Sequence, residues 1–317
     1  MTTKTVNESI RKFKNCSNCL GIAGRIMTMI KFSIITICLN IEAEIGNTIA
    51  SVINQSCTDY EYLIKDGVSS DGTVGVAESF AQAFAEKGIS YRIISQSDSG
   101  IYDAMNQAVR EAQGEWVIFM NAGDCFANSS VLDRVNKSGC LKDADIVYGD
   151  RILRSGKLFL RQKARALENI RYGLPFGHQS TFTSRKLLLD NPYSLQFRVC
   201  SDHRFYLQMY LEGKRFVYFP DAVSIYDTNG LSSNFELTLL DTIRVLEDMP
   251  IRDEEAIQKV KNDLEFRRKN ENQEMRTHPH LRRLIPEVLR KKRWEFKDRK
   301  AGWKTEKELF GKKKDKP

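Results

Sequence analysis

Short apolar segments that end at polar or acidic turns alternate with amphipathic segments along the first half of the chain. Three apolar segments, residues 33–37, 62–66 and 117–120, have the composition expected of buried strands in a parallel sheet. A helical pattern, with apolar spacings of three and four, is formed by Val74, Ala77, Phe80 and Phe84. From Lys31 to about Asp150 the order is strand, helix, strand, helix, strand, helix, strand. This order predicts a parallel, right-handed, doubly wound sheet.

The third apolar segment ends in a small acidic turn. Val117-Ile118-Phe119-Met120 is followed by Asn121-Ala122-Gly123-Asp124. Open α/β sheets bind ligands just outside the carboxyl ends of their strands, so Asp124 is expected to lie beside a ligand. A carboxylate at such a place is typical of a site for a hard cation that in turn holds phosphates. Taken alone, the turn is equally compatible with a solvated loop aspartate.

A second strand also ends at an acid, in Lys65-Asp66-Gly67-Val68-Ser69-Ser70-Asp71-Gly72-Thr73. Asp66 is predicted to lie at the same level of the sheet as Asp124. A carboxylate there can accept hydrogen bonds from a base N–H or a ribose hydroxyl, as acids do in dinucleotide-binding folds.

A third motif surrounds the start of a predicted helix, in Ser97-Asp98-Ser99-Gly100-Ile101-Tyr102-Asp103-Ala104-Met105-Asn106. Gly100 is predicted to open this helix and Gly114 to end it as the C′ residue. Asp103 and Asn106 are three residues apart and share a helix face. Asp103 alone is explained as a complement to the helix dipole, but that explanation does not cover Asp98, Asp103 and Asn106 together.

A fourth motif is Cys200-Ser201-Asp202-His203-Arg204-Phe205. Ser201 or Asp202 could be a helix N-cap. Alternatively, Asp202 is a general base at the mouth of the same cleft, since an alcohol that attacks an activated carbon needs a base nearby.

Taken in order, the motifs SIITI, KDGVSSDGT, SDSGIYDAMNQA, FMNAGD, HQSTF and CSDHRFYLQMYLEG resemble glycosyltransferase family 2. Within it, they are most similar to the bacterial exopolysaccharide branch, the WcaE-like colanic acid transferases. The resemblance covers about Lys31 to Ser233 and implies a GT-A fold, with a single Rossmann-like, doubly wound, mostly parallel sheet. It also implies a nucleotide-sugar donor, a divalent metal (Mn²⁺ or Mg²⁺) and inversion at the anomeric carbon.

The resemblance also implies roles for individual residues. Asp66 and Asp98 match the acids of the family that contact the nucleotide, and Asp124 matches the last acid of its metal-binding motif. Asp202 matches the catalytic base. Asp103, Asn106 and Asn121 are candidates for binding the donor.

The chain departs from the family pattern at Asn121 and Gly123, where many members carry Asp. One carboxylate, together with diphosphate oxygens and waters, is sufficient for Mg²⁺ or Mn²⁺ in principle. His178, in Phe176-Gly177-His178-Gln179-Ser180, could add a ligand or touch the diphosphate. The alternative for His178 is a hydrogen-bonded structural residue.

The remaining organisation follows from composition. Residues 1–30 show little periodicity and are predicted to be a flexible extension. Residues 31–150 and 151–233 form the predicted nucleotide-binding and acceptor halves of one catalytic domain, and the Gly-Ser turn within 228–233 is a candidate acceptor-side loop. Residues 234–317 form a predicted helical C-terminal extension.

The cysteine count and hydropathy indicate a cytoplasmic protein. Seven scattered cysteines in 317 residues favour free thiols in a reducing compartment. Cys16-Ser17-Asn18-Cys19 has no second pair, so a zinc site is not expected. No segment has the roughly 18 apolar residues needed to span a bilayer.

The basic charge of the chain is concentrated in its last segment. Residues 281–317 carry 15 Lys and Arg against 6 Asp and Glu, whereas the whole chain has a net charge of +8. Apolar residues at helical spacing and two Trp accompany these charges, which is typical of an amphipathic element on an anionic membrane. A solvated tail is the alternative, and no motif in the core favours nucleic acid binding.

These observations predict a metal-dependent, inverting glycosyltransferase of the hexosyltransferase type, acting on a saccharide or lipid-linked saccharide in surface polysaccharide synthesis. The predicted location is the cytoplasm or the inner face of the plasma membrane. One alternative is another nucleotide-binding transferase such as a nucleotidyltransferase, although the chain has no GxGxxG or GxxxxGK[ST] loop. The other is a catalytically inactive, binding-only relative.

Overall fold

A computed structural model describes residues 30–227, 235–277, 304–305 and 309. The predicted N-terminal extension up to residue 29, the candidate loop at 228–233 and most of the basic segment 281–317 lie outside the described residues.

The first half of the described chain alternates strands and helices as predicted. Its elements are β1 (Phe32–Cys38), α1 (Glu42–Ile53), β2 (Tyr60–Asp66), α2 (Thr73–Glu78), α3 (Ala81–Glu86), β3 (Ser90–Ser95), α4 (Ile101–Glu111) and β4 (Trp116–Phe119). The helix predicted after β2 is divided into α2 and α3. At the division, the Ser79 hydroxyl donates a hydrogen bond of 2.6 Å to the carbonyl of Val76, a local bond of the kind that competes with helical pairing.

The second half contains strands of both directions. Its elements are β5 (Cys125–Phe126), α5 (Val131–Lys137), β6 (Ile146–Ser155), β7 (Leu158–Gln162), β8 (Thr181–Ser184), α6 (Arg185–Asp190), α7 (Ser201–Leu211), β9 (Phe216–Asp227), α8 (Phe235–Asp248), α9 (Glu254–Thr277) and β10 (Lys304–Thr305). Two short 3-10 helices, Leu167–Tyr172 and His178–Ser180, precede β8.

All these strands belong to one mixed sheet with the order β10-β7-β6-β8-β4-β1-β2-β3, and β9 pairs with both β5 and β6. The strands β4, β1, β2 and β3 are parallel. From β8 outward the ladders are antiparallel, except that β9 lies parallel to β6. The parallel pattern predicted from the sequence therefore describes the first half of the sheet, and the antiparallel pairing of the second half was not predicted.

Helices cover both faces of the sheet. Successive strand residues enter opposite apolar clusters, as Ile34 and Ile35 do. One cluster includes apolar residues of α4, α7, α8 and α9, and the other includes those of α1 and α5. This two-sided burial explains why the parallel strands are apolar over most of their length.

Gly114 does not end α4 as a left-handed C′ residue. The C-cap is Ala112, and Gly114 is not among the glycines with positive φ. A Cβ at Gly114 would lie 2.5 Å from the backbone nitrogen of Ser33. The position therefore requires glycine because the chain passes close to β1, and not because of the backbone angle.

Within the described residues, none of the helices is long and apolar enough to cross a bilayer. The five cysteines among those residues, at positions 38, 57, 125, 140 and 200, are free thiols.

Candidate active site

The carboxyl ends of β1, β2 and β4 meet at one edge of the sheet, and the predicted acids follow them there. In the register of the parallel ladder, Asp66 of β2 is paired with Cys38 at the end of β1. Asn121 to Asp124 come directly after β4, and the amide of Ala122 donates to the carbonyl of Ile37 at 3.3 Å. The sheet therefore brings both acidic turns to the same edge, as predicted.

Asp66 is fully buried and accepts hydrogen bonds from its own loop and from β3. The donors are the backbone amides of Val68 and Ser69, at 3.1 Å, and the hydroxyls of Ser69 at 2.5 Å and Ser95 at 2.7 Å. Burial would raise the pKa of Asp66, but the hydrogen bonds from Ser69 and Ser95 hold it below its ordinary value. Asp66 thus fixes the shape of the turn after β2, and its contact with a nucleotide stays a prediction.

Asp98 is held by a buried lysine that the sequence analysis did not single out. The Lys65 ammonium donates to Oδ2 of Asp98 at 2.9 Å, and also to the backbone carbonyls of Asp66 and Gln96. The other Asp98 oxygen accepts from the amide of Gly100 at 3.1 Å. A buried ammonium requires such partners. A lysine inside an apolar strand, directly before an acid, could therefore have indicated this ion pair from the sequence.

Asp103 and Asn106 bind backbone within the protein. Asp103 Oδ2 accepts hydrogen bonds from the backbone amide of Ser99 at 2.9 Å and from the Ser99 hydroxyl at 3.0 Å. The hydrogen bond from the backbone amide lowers the pKa of Asp103. The Asn106 amide group bonds both the carbonyl of Tyr193, at 2.8 Å, and its N–H, at 2.9 Å. Asp103 thus stabilises the first turn of α4, and Asn106 joins α4 to the segment before α7. The contact of either side chain with a donor stays a prediction.

Asp202 lies in the first turn of α7 and forms a network that joins three parts of the fold. Its Oδ2 is 3.1 Å from Nδ1 of His178, and its Oδ1 accepts from the Tyr102 hydroxyl at 3.0 Å and from the amide of His203 at 2.8 Å. Nε2 of His178 is in turn 3.3 Å from Nδ2 of Asn121. When Asn121 donates to Nε2, a neutral His178 carries its proton on Nδ1 and donates it to Asp202.

The network keeps the Asp202 carboxylate ionised although little of it is exposed. Burial alone would raise the pKa of Asp202, but the hydrogen bonds from His178, the amide of His203 and Tyr102 hold it below its ordinary value. Burial and the Asp202 charge raise the pKa of the Tyr102 hydroxyl well above its ordinary value, so this group remains a donor. Tyr102 is a further contributor to the site that the sequence analysis did not select.

The N-cap alternative for Ser201 and Asp202 is not what the structure shows. The N-cap of α7 is Cys200, and no cap residue side chain bonds the helix start. Oδ2 of Asp241 in α8 accepts instead from the amides of Val199 and Cys200, at 2.9 and 3.1 Å. The Asp202 carboxylate is therefore directed to His178 and Tyr102.

The turn after β4 has the features of a cation site with few protein ligands. Among the described residues, no three His, Cys, Asp or Glu side chains converge on one point, as expected for a turn with one carboxylate. Oδ1 of Asn121 is buried, however, and has no hydrogen-bond partner among those residues, a condition that needs an explanation such as a bound ion. Asp124 and Asn121 fit a divalent cation that also binds diphosphate oxygens and waters.

The sequence of this region is similar to that of known enzymes. Residues 33–211 match glycosyl transferase family 2, and the chain belongs to that family. It is 35% identical over 181 residues to a PGL/p-HBAD biosynthesis glycosyltransferase of Mycobacterium tuberculosis, a match that covers 56% of this chain and 69% of the relative. The predicted glycosyltransferase activity is thus confirmed at the level of the enzyme class.

Solved structures confirm the fold. Staphylococcus aureus TarS 1-349 in complex with UDP-GlcNAc superimposes with a TM-score of 0.55 at 18% identity, covering 74% of this chain and 71% of TarS. The mannosyltransferase PcManGT of Pyrobaculum calidifontis, in complex with GDP-Man and Mn²⁺, has a TM-score of 0.57 at 15% identity, covering 74% and 69%. The GT-A fold predicted from the motifs is correct, whereas the resemblance to the colanic acid branch stays a prediction.

Proposed function

We propose that this protein transfers a sugar from a nucleotide-sugar donor to a hydroxyl of a saccharide acceptor by direct displacement, with inversion at the anomeric carbon. The observation that carries this proposal is the network from Asn121 through His178 to Asp202. It links the turn predicted to face the donor diphosphate with a carboxylate suited to act as a base. Both belong to the same edge of the sheet.

Asp202 has the properties that a general base needs. The Asp202 carboxylate is ionised at neutral pH, because its pKa is lowered, and its position is fixed by His178 and Tyr102. In the proposed reaction, the acceptor hydroxyl loses its proton to Asp202 as its oxygen attacks the anomeric carbon, and the bond from that carbon to the diphosphate breaks. His178 orients the carboxylate through its hydrogen bond to Asp202.

The donor lies across the carboxyl edge of the sheet in this proposal. Its base is placed near the turn that Asp66 and Asp98 shape, and its diphosphate near Asp124. A divalent cation held by Asp124 and Asn121 would stabilise the negative charge of the leaving diphosphate. Relatives support these ligands, since TarS was solved with UDP-GlcNAc and PcManGT with GDP-Man and Mn²⁺.

The acceptor that we propose is a lipid-linked saccharide at the cytoplasmic face of the plasma membrane, in the synthesis of a bacterial surface polysaccharide. The excess of Lys and Arg in residues 281–317 suits an anionic membrane surface. The mycobacterial relative is named for PGL/p-HBAD biosynthesis, so the acceptors of that synthesis are a second set to test.

The function is tested by incubating the protein with UDP-, GDP- and dTDP-sugars in Mn²⁺ or Mg²⁺ and measuring thermal stabilisation and nucleoside diphosphate release. We expect one donor to stabilise the fold and to release its diphosphate faster when an acceptor saccharide is added. Pyrophosphate release from a nucleoside triphosphate and a sugar phosphate would instead identify a nucleotidyltransferase. Donor binding without turnover on any acceptor tested would favour the binding-only alternative.

A further inference from the structure

Arg151, which the sequence analysis did not single out, lies on β6 beside the candidate metal turn. In the sheet register, Arg151 is opposite Ser224 of β9, and the next residue of β9, Ile225, is opposite Cys125. Cys125 directly follows Asp124 in the chain. Two adjacent ladders therefore bring Arg151 close to the turn that carries Asp124.

The guanidinium of Arg151 has neutral partners among the described side chains. Its Nε donates to Oε1 of Gln162 at 2.7 Å, and its central carbon lies 5.5 Å from the ring centroid of Tyr226. The side chain also lies directly against Gly177, where a Cβ would be 3.1 Å from Cδ and 3.2 Å from Nη1 of Arg151. Gly177 precedes His178, so the Arg151 side chain lies against the loop that carries His178.

The Arg151 guanidinium is held in a partly buried position that disfavours its charge. Burial lowers the pKa of Arg151, and the nearby charge of Arg165 lowers it further, whereas Tyr226 and Asp124 act in the opposite direction. A partly buried cation without a paired carboxylate is costly. An anionic group bound here would relieve that cost.

We propose that Arg151 binds the diphosphate of the nucleotide-sugar donor, an inference that rests on the proposed function. A diphosphate supplies the missing negative charge, and the planar guanidinium can donate two parallel hydrogen bonds to phosphate oxygens. The turn after β4 has one carboxylate, which limits how tightly the protein alone can hold a cation there. Arg151 adds a fixed positive charge at the same place, so part of the diphosphate affinity is independent of metal.

The rival explanation is that Arg151 only holds the Gly177 loop against Gln162. A structural role would affect folding and all ligands alike, whereas a diphosphate contact affects only ligands that carry phosphates. Arg151→Gln removes the positive charge. Arg151→Lys keeps the charge but removes the planar pair of N–H donors. Arg215→Gln is the matched control, because Arg215 is exposed and precedes β9 at the opposite edge of the sheet, and its guanidinium makes a 3.9 Å ion pair with the exposed Asp143.

The experiment is calorimetric titration of the full chain with UDP, GDP, ADP and dTDP, and with the corresponding nucleosides, in Mn²⁺ and in EDTA. For the diphosphate that the wild type binds, we expect Arg151→Gln to lose at least about tenfold in affinity, the size expected for a hydrogen bond to a charged group. Nucleoside affinity and the Arg215→Gln control should stay within about twofold. Arg151→Lys should lie between the wild type and Arg151→Gln.

Two outcomes would overturn the inference while leaving the proposed function intact: unchanged diphosphate affinity in Arg151→Gln, or an equal loss for the diphosphate and its nucleoside. If the wild type binds none of the four diphosphates and turns over no nucleotide sugar, the proposed function and this inference fail together. If Arg151→Gln does not fold, Arg151→Lys decides. A diphosphate contact predicts that Arg151→Lys binds the diphosphate more weakly than the wild type does but binds the nucleoside equally well.

Discussion

The carboxyl edge of the sheet has two ends that differ in how their polar groups are satisfied. At the β2 end, Asp66, Asp98 and Asp103 accept hydrogen bonds from their own loops and from neighbouring strands. At the β4 end, Oδ1 of Asn121 and Oε1 of Gln179 are buried without a partner among the described residues. The carboxylates of Asp66, Asp98 and Asp103 thus have partners without a ligand, and near them Oε1 of Gln107 lacks one among the described residues. At the β4 end, two amide oxygens beside the predicted metal turn and His178 have hydrogen-bonding capacity that the described residues do not use.

This difference separates two kinds of role for residues that look alike in the sequence. An acid whose hydrogen bonds come from its own loop and the adjacent strands, as those of Asp66 do, fixes the shape of that loop, so its substitution should mainly change stability. An acid or amide next to unused polar atoms and a partly buried arginine contributes to ligand binding or catalysis. The two ends should therefore respond differently to equivalent substitutions.

The largest effect is expected at Asp202. Asp202→Asn keeps the shape of the side chain but removes its basicity, so turnover should fall at least about 10²-fold while donor affinity changes little. Turnover and donor affinity measured on the same preparation check this. Asp103→Asn is the control from the β2 end and should leave turnover within a few-fold of wild type. Turnover of Asp202→Asn close to that of the wild type would remove Asp202 from the mechanism.

The next effect concerns Asp124. Asp124→Ala should abolish the Mn²⁺-dependent part of nucleoside diphosphate binding, since Asp124 is the only carboxylate in the turn after β4. Calorimetry with and without Mn²⁺ measures this part, and thermal unfolding shows whether the fold is retained. Unchanged Mn²⁺-dependent binding in a folded variant would place the metal elsewhere.

At the β2 end, Asp66→Asn should mainly reduce stability. The carboxylate accepts hydrogen bonds from two backbone amides and two hydroxyls that an amide side chain cannot all replace, so the free energy of unfolding should fall by about 1–3 kcal/mol at pH 7. Urea unfolding measures the difference. A change in turnover that exceeds the change in folded fraction would show that Asp66 also acts on the donor.

The pH dependence of this loss has a defined sign. Because the pKa of Asp66 is lower in the folded protein than its ordinary value of about 4, its ionised form stabilises the fold at neutral pH, and this contribution is lost as the pH falls through the folded pKa. The difference in stability between wild type and Asp66→Asn should therefore be full at pH 7 and shrink below about pH 4. A difference that grows in acid would contradict the role assigned to the buried carboxylate.

The smallest effect is expected in the basic segment, which belongs to neither end of the site. Replacing Lys291 with Gln should weaken binding to anionic vesicles by about fivefold, given roughly 1 kcal/mol for each surface charge, and should leave donor binding unchanged. Sedimentation with vesicles at low and high salt checks this. Substitution is preferable to truncation, because Lys304 and Thr305 pair with β7. Equal binding of both proteins would assign the charges another role.

The sequence predicted the parts of the fold that follow from local pattern. The apolar segments before Asp66 and Asp124 identified buried parallel strands, and strand ends of a parallel sheet share one edge, so the acids could be placed together. The antiparallel half was not predicted, because its strands are partly polar and its two longest strands, β6 and β9, pair residues that are far apart in the chain. The contact between Tyr102 and Asp202 joins residues 100 positions apart. Arg151 is brought towards the turn after β4 by the pairing of β6 with β9 and of β9 with β5. No local sequence pattern predicts these two contacts.

The account rests on direct displacement with Asp202 as the base, and the stereochemistry of the product tests it most directly. Proton NMR of the reaction, begun with a nucleotide sugar of known anomeric configuration, reports the configuration of the newly formed glycosidic bond through its anomeric coupling constant. The account predicts the opposite configuration to that of the donor. Retention of the donor configuration would contradict it, because a single displacement at the anomeric carbon inverts that carbon.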